Sequence, residues 1–328
     1  MSAAALMGSA KSNGLRPINL RTDLGAVADL IELCFADQMD AQGRAAMHEM
    51  RFLSRAGPLL WLLALLNQAV RGVSHGFVWI EAGRLVGNVT LYRADLPEWG
   101  WIIANVAVHP DYRRRGIARE LMLASLDAIR LSGVRPATLQ VEHSNVAAIN
   151  LYRALGFYTV RTWVTWRRPA HFSAPPAEAD VPIEAAAGDD WRALYDLACV
   201  TRPSGLGWMR AVAPGAFRPG PFEALRNLFS GAVVERYLVR DGAGGAAAAL
   251  TVSMGFGAQR DVLTFMVHPR RRGELERPLL AFALRRLAGR GRSVAVEHPH
   301  DDAAGAAALE AFQFRPHQTL TIMRHDLD

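Results

Sequence analysis

The segment Arg113-Arg114-Arg115-Gly116-Ile117-Ala118 combines residue types and order that could do chemistry. It stands between an apolar run, Trp101 to Val108, and an amphipathic stretch, Ile117 to Ser132. The first turn of a helix has unpaired N–H groups and the positive end of the macrodipole, so a loop that enters a helix is a ready anion site. Gly116 lets the backbone take positive φ and approach an oxyanion, Ala118 keeps the next turn close, and the arginines add charge. A diphosphate is the natural ligand of such a loop. A solvated basic loop is the plain alternative, because a lone arginine run ending in glycine recurs by chance.

The elements that must position this loop can be read from periodicity. An extended start leads to a helix from about Thr22 or Asp23, the expected N-cap, through Leu33, and a second helical region runs from about Ala41 to Val70. The period then changes to two: Gly76 to Ile80, a turn at Glu81 to Arg84, and Leu85 to Tyr92 read as a hairpin. Trp101 to Val108 is a third strand, ended by His109-Pro110 because proline cannot continue a central ladder. After the loop comes the helix Ile117 to Ser132, with Ile117, Leu121, Leu123, Leu126 and Ile129 available for a core stripe. Thr138 to Val141 is a strand, Asn145 to Leu155 a helix closing at Gly156, and Phe157 to Trp166 a returning strand.

From Arg167 to Pro182 the sequence has four prolines among alanines and no periodic apolar face, which suits a linker. Beyond it the chain repeats itself. Val267 to Gly273 (VHPRRRG) echoes Val108 to Gly116 (VHPDYRRRG), and Gly116 with Gly273, like Phe157 with Phe314, stand 157 residues apart. One register is kept through two helices and a strand, so the chain reads as a tandem duplication.

Composition bounds the partners. The 328 residues, 51% hydrophobic, suffice for two cores. The net charge is +6, carried by one lysine, Lys11, and otherwise by arginines. They are spread through apolar-rich segments without a basic tail or interleaved aromatics, which speaks against a nucleic-acid partner. Cys34 and Cys199 have no metal-ligand spacing and suit a reducing compartment. The first fourteen residues read as a disordered leader, and the most apolar run, Pro58 to Leu66, is far short of the roughly 18 residues a membrane span needs. A cytoplasmic protein with no membrane partner and no metal is expected.

The run VAVHPDYRRRGIARELM, followed by SNVAAINLYRALGF, resembles the GNAT superfamily of acetyl-CoA-dependent N-acyltransferases, whose signature falls here on Arg113, Gly116 and Ala118. The resemblance covers Gly76 to about Arg167 well and Ile18 to Val70 loosely. It implies an α/β (α+β) fold of two tandem GNAT-like domains, each a mixed, mostly antiparallel sheet with a central splayed parallel strand pair and flanking helices. It implies a catalytic domain over 15–168, a linker over 169–182 and a degenerate copy over 183–328. Acetyl-CoA is then the co-substrate: the backbone of Val106, Ala107 and Val108 bonds the pantetheine amides, the loop Arg113, Arg114, Arg115, Gly116, Ile117 and Ala118 holds the diphosphate, Asn145 contacts the pantetheine region, and Ala148 lets it pass. Tyr152 corresponds to the residue that protonates the departing thiolate; a half-buried tyrosine bonded to water is the bland alternative.

The general base is less direct. In the ribosomal-protein N-terminal acetyltransferases that the spacing most resembles, a glutamate stands twelve residues ahead of the tyrosine, and here that position is Gln140. Glu142 shares its strand face and could substitute, with His143 and Glu98 as weaker candidates; a strand-end charge facing solvent is the bland reading of Glu142. The second copy loses the pattern: Leu275 answers Ala118, Asp302 answers Asn145, Leu309 answers Tyr152 and Gln313 answers Gly156. The implied function is acetyl transfer to a primary amine, on a small molecule or a peptide, by direct attack in a ternary complex. A non-catalytic acyl-CoA-binding sensor or scaffold is the rival. The acceptor is expected over Asp37 to Val70.

Overall fold

The computed structural model describes residues 13–36, 47–48, 50–52, 75–93, 100–178, 181–201, 217, 232–242, 244–256 and 260–327. The helical region expected over 41–70, with its apolar run, lies outside them apart from 47–48 and 50–52, which are helical. Glu98 and the leader up to residue 12 lie outside as well.

In chain order the first copy contains β1 (Gly14–Pro17), α1 (Leu24–Phe35), β2 (His75–Glu81), β3 (Arg84–Arg93), β4 (Trp101–Val108), α2 (Ile117–Ser132), β5 (Ala137–Glu142), α3 (Val146–Ala154) and β6 (Tyr158–Arg168). The second contains β7 (Glu184–Ala185), α4 (Trp191–Thr201), β8 (Ala232–Arg240), β9 (Ala246–Gly255), β10 (Asp261–Val267), α5 (Glu276–Arg286), β11 (Val294–Pro299), α6 (Ala303–Ala311) and β12 (Arg315–His325). The chain divides into two compact units. The first holds residues up to Gln140, Ala147–Tyr158 and Met323–Asp328; the second holds Val141–Val146 and Thr159–Ile322.

In the first unit β2 is antiparallel to β1 and β3, β3 is antiparallel to β4, and β4 is parallel to β5. Alternation along the strands gives the sheet two apolar faces. Val78 and Ile80 of β2 pack with Val27, Ala28 and Ile31 of α1. On the other face lies α2, bounded by Gly116 and Gly133, both left-handed. Its buried stripe is Ile117, Leu121, Met122, Ser125, Leu126 and Ile129. Met122 takes the place expected for Leu123, which is half-buried. Each fully buried aliphatic side chain of that stripe contributes about 1.5–3 kcal/mol. The approach is close enough to need glycine: a Cβ on Gly87 would stand 2.9 Å from Ile117 Cγ2 and 3.1 Å from Leu121 Cδ1.

In the second unit β8 is antiparallel to β7 and β9, β9 to β10, and β10 is parallel to β11. Next to β11 comes β6, antiparallel, with β12 beside it. Val164 and Trp166 of β6 enter one core with Leu263, Leu279, Val296 and Phe314. Linear order therefore puts β6 with the first copy, whereas packing puts its residues from Thr159 onward in the second unit. Arg168 turns the chain after β6, donating to the carbonyls of Phe312, Phe172 and Ser173 at 2.9, 3.1 and 2.6 Å. Residues 169–178 and 181–183 form no helix or strand. Each unit is thus a mixed, mostly antiparallel sheet with one parallel pair and flanking helices.

Candidate functional site

The loop that carries the arginines starts from a 3₁₀ turn, Pro110–Tyr112. His109 shapes it, its Nδ1 accepting from the Asp111 N–H at 3.3 Å. Arg113 Nε donates to the Val108 carbonyl at 3.2 Å. Arg115 donates to Glu81 and to the Asp111 carbonyl, both at 3.1 Å, and lies 4.8 Å from the Tyr112 ring centroid. Arg114, with φ of 61°, and Gly116, with φ of 82°, turn the chain into α2. No side chain among the described residues caps this helix. Among the described residues nothing accepts from the backbone N–H groups of Gly116, Ile117 and Ala118. A Cβ on Gly116 would meet none of the described residues within 4 Å. Exposed amides at the positive end of a 16-residue helix, with open space over the glycine, fit a diphosphate.

A slot adjoins the loop. The parallel pairing of β4 with β5 covers Trp101↔Ala137, Ile102↔Thr138 and Ile103↔Leu139 and extends no further. On its other edge β4 shifts register against β3 between Asn88 and Thr90. Asn105 and Val106 therefore stand together opposite Val89, a β-bulge with Asn105 at φ of 52°. Past the bulge Val106, Ala107 and Val108 run on without β5 as partner, and Val106 and Val108 are half-buried. Backbone groups on such a splayed strand fit a ligand that bonds as an extra strand would.

Tyr152 lies on α3 in the first unit, 6% exposed, its ring 6.0 Å from that of Phe157. Burial pushes its pKa up to about 12. It is a neutral phenol with a proton to donate. Gln140, exposed, ends the first unit's part of β5. Residues 141–146 belong to the second unit. There Glu142 accepts from Gln318 Nε2 at 2.6 Å, and His143 Nδ1 lies 3.0 Å from Thr321 Oγ1, its ring stacked on that of His300. Asn145 is exposed just ahead of α3, and Ala148 is half-buried on it.

The acetyltransferase (GNAT) family model matches residues 43–157, which span the loop, the slot and Tyr152. That stretch, about a third of the chain, is what resembles a GNAT acetyltransferase domain. It is 47% identical over 53 residues to the [ribosomal protein bS18]-alanine N-acetyltransferase of Escherichia coli K12, a match covering 16% of this chain and 36% of that protein. The chain thus spans little more than a third of the curated relative. Two solved structures extend over nearly the whole chain. A tandem GNAT protein from the clavulanic acid biosynthesis pathway has TM-score 0.56 and 18% identity, covering 96% of this chain and 98% of its own. A GCN5-related N-acetyltransferase from Sphaerobacter thermophilus has TM-score 0.59 and 16% identity, covering 95% of each. At those identities the likeness is one of fold.

Set against the first unit, the second keeps the scaffold and fills the loop that the first leaves open. Its loop glycine, Gly273, also has positive φ, 86°. Its N–H, however, donates to Glu276 Oε2 at 2.8 Å, so a carboxylate of the chain itself occupies the anion's place. That residue is 1% exposed, and its Oε1 lacks a partner. Between β10 and β11 the parallel pairing also stops, at Leu263↔Val296, but the rings of Phe265 and His298 stack there, 4.6 Å apart. His298 is anchored by Asp302 at 3.0 Å. Gly305, where the first copy has Ala148, makes room, since a Cβ would come 2.0 Å from His298 Nε2. Leu275 and Leu309 are buried in the core. Glu276 was not among the residues expected from sequence; its signal is a glutamate three residues after the loop glycine, at capping distance. Among the described residues no group of His, Cys, Asp and Glu could hold a metal, and no helix is long and apolar enough to cross a membrane.

Proposed function

We propose that this protein is an acetyl-CoA-dependent N-acetyltransferase with one working cofactor site, in the N-terminal copy, that acetylates a primary amine by direct attack in a ternary complex. The observation that carries the reading is the asymmetry between the loops: amides left open at Gly116 to Ala118, and a loop at Gly273 bonded to Glu276. The proposal keeps the linear division into a catalytic copy over 15–168 and a degenerate copy over 183–328.

Acetyl-CoA, when bound, supplies an activated acetyl thioester. The amides from Arg113 to Ala118 hold its diphosphate, with the arginines neutralising charge. The freed backbone of Val106 to Val108 bonds the pantetheine amides, with Asn145 and Ala148 lining its path. Tyr152, neutral because burial holds its pKa near 12, would be the hydrogen-bond donor to the departing sulfur. A phenol this weak in acidity stabilises a thiolate of ordinary pKa, about 8.5, mainly by hydrogen bonding, since complete transfer is uphill. Glu142 is the proposed base, receiving the amine's proton directly or through water. The acceptor class to try first is the α-amino group of a peptide, since the curated relative acts on an alanine of a ribosomal protein.

Gln140, which cannot take a proton at neutral pH, favours a second reading, a non-catalytic acyl-CoA sensor. Incubating the full chain with acetyl-CoA and a panel of amines and peptides, and following free thiol, tests both. Acceptor-dependent thiol release supports the enzyme. Binding of acetyl-CoA with no turnover on any acceptor supports the sensor, and no binding at all overturns both.

A further inference from the structure

The bulge in β4 has an internal control, because the second copy carries the corresponding pair of strands without it. From Val262↔Ser253 to Val267↔Ala248, β10 and β9 stay in one register, with Phe265 opposite Leu250. β4 has one residue more than β10, eight against seven. When the two strand pairs are aligned on the residue before each His-Pro, Val108 and Val267, Thr251 stands where the first copy has Thr90, and Ala249 where it has Asn88.

Asn88 is wholly buried, 0% exposed. Its Nδ2 donates to the backbone carbonyl of Asn105 at 3.0 Å and to Thr90 Oγ1 at 3.3 Å. That fixes the amide's orientation, since the flipped form would set two oxygens against each other. A bulge removes a residue from the ladder and leaves its polar groups in need of partners. Here the carbonyl of the bulged residue receives its hydrogen bond from a side chain on the neighbouring strand. The other copy has neither the bulge nor a side-chain amide at that position.

We propose that Asn88 is the positioning residue that clamps the bulge at Asn105–Val106 and so holds the backbone of Val106 to Val108 in place for the pantetheine arm. The inference rests on the acetyltransferase reading for its consequence but not for its geometry. Asn88 touches neither cofactor nor acceptor; it acts through the backbone of β4.

The test uses Asn88→Leu, near in shape and without the amide, in the full chain. Its melting temperature, its affinity for acetyl-CoA by calorimetry, and the amide resonances of Asn105 and Val106 are compared with wild type. The expected result is a folded protein with shifted Asn105 and Val106 resonances and acetyl-CoA affinity weakened about tenfold, the scale of one hydrogen bond. Adding Asn105→Gly, which takes positive φ without help, should restore most of the loss. A purely structural role gives a lower melting temperature and no rescue by glycine. If the leucine variant does not fold, Asn88→Ala, which copies the second unit, takes its place. Unmoved Asn105 and Val106 resonances, affinity within about twofold of wild type, or a loss that glycine does not restore would overturn the proposal. Wild-type protein that does not bind acetyl-CoA defeats the cofactor reading instead, and the resonances still decide the clamp.

Discussion

His109 and His268 do the same work in the two copies: each caps its own 3₁₀ turn, accepting a backbone N–H on Nδ1 at 3.3 Å, and each leads into an arginine loop with a left-handed glycine. Scaffold and loop are thus retained in both. The copies part at the atoms a cofactor would touch. The first leaves the amides after Gly116 open, whereas the second bonds the N–H of Gly273 to Glu276 and stacks Phe265 on His298 where the parallel strands separate. The loop of the first copy is open to solvent at Arg113 to Gly116, so its amides can be hydrated when no ligand is bound. In the second copy Glu276 gives the Gly273 N–H an acceptor, while its own buried Oε1 is left without a partner among the described residues. On the proposed reading, the first copy binds the cofactor and the second keeps the fold without the site.

The strongest way to break this comparison is a matched pair of substitutions. Gly116→Glu should weaken acetyl-CoA binding about 100-fold or more, because a carboxylate beside a diphosphate costs several kcal/mol. The fold should survive, since a Cβ there has open space and the strain at φ of 82° costs about 1–2 kcal/mol. Gly273→Glu should leave acetyl-CoA affinity unchanged. Calorimetry reads both, and equal effects of the two substitutions would remove the asymmetry.

Next in size is Tyr152→Phe, set against Leu309, its buried counterpart. Loss of a hydrogen bond to a developing thiolate should lower kcat about 10- to 100-fold and leave the affinity for acetyl-CoA within about threefold. Steady-state kinetics with a good acceptor check this, and an unchanged kcat with chemistry limiting removes the role. The same residue has a signature in stability. Its pKa is near 12 in the folded protein and about 10 when unfolded, so the fold keeps the phenol's proton when the unfolded chain releases it. This contribution is fully present below pH 10 and is lost as pH rises through about 12. Urea midpoints should therefore fall more steeply in that window for wild type than for the phenylalanine variant.

The smallest expected effect sharpens the picture of the second copy. Burial pushes the Asp302 carboxyl up, but hydrogen bonds from His298 and the Gly305 N–H, with the nearby positive charge, bring it down to about 2. Its contribution is present above pH 3.8 and is lost as pH falls through about 2. Asp302→Ala removes an N-cap and the anchor of His298, so it should cost about 1 kcal/mol in urea unfolding at neutral pH and less in strong acid. Turnover should not change; a drop in kcat/KM would mean that the plugged copy takes part in catalysis.

How far the sequence anticipates these features depends on the range of the forces involved. The ends of α2 fall where Gly116 and Gly133 put them, and β4 spans Trp101 to Val108, because caps and His-Pro are local signals. The bulge is not local. Trp101 to Val108 reads as an unbroken apolar run with one asparagine, and only its register against β3 sets Asn105 apart. Glu276 has only a weak local signal, because a glutamate three residues after a glycine is also an ordinary feature of a helix start. The strand character of β6 is plain from its alternation, but its partner, β11, is chosen by packing across more than a hundred residues of chain.

The central claim, one working site in the N-terminal copy, is tested most directly by calorimetric titration of the full chain with acetyl-CoA, beside its Gly116→Glu and Gly273→Glu variants. The account predicts one site per chain in wild type, none in Gly116→Glu and one in Gly273→Glu. Two equivalent sites in wild type, or a single site that only Gly273→Glu abolishes, would contradict it.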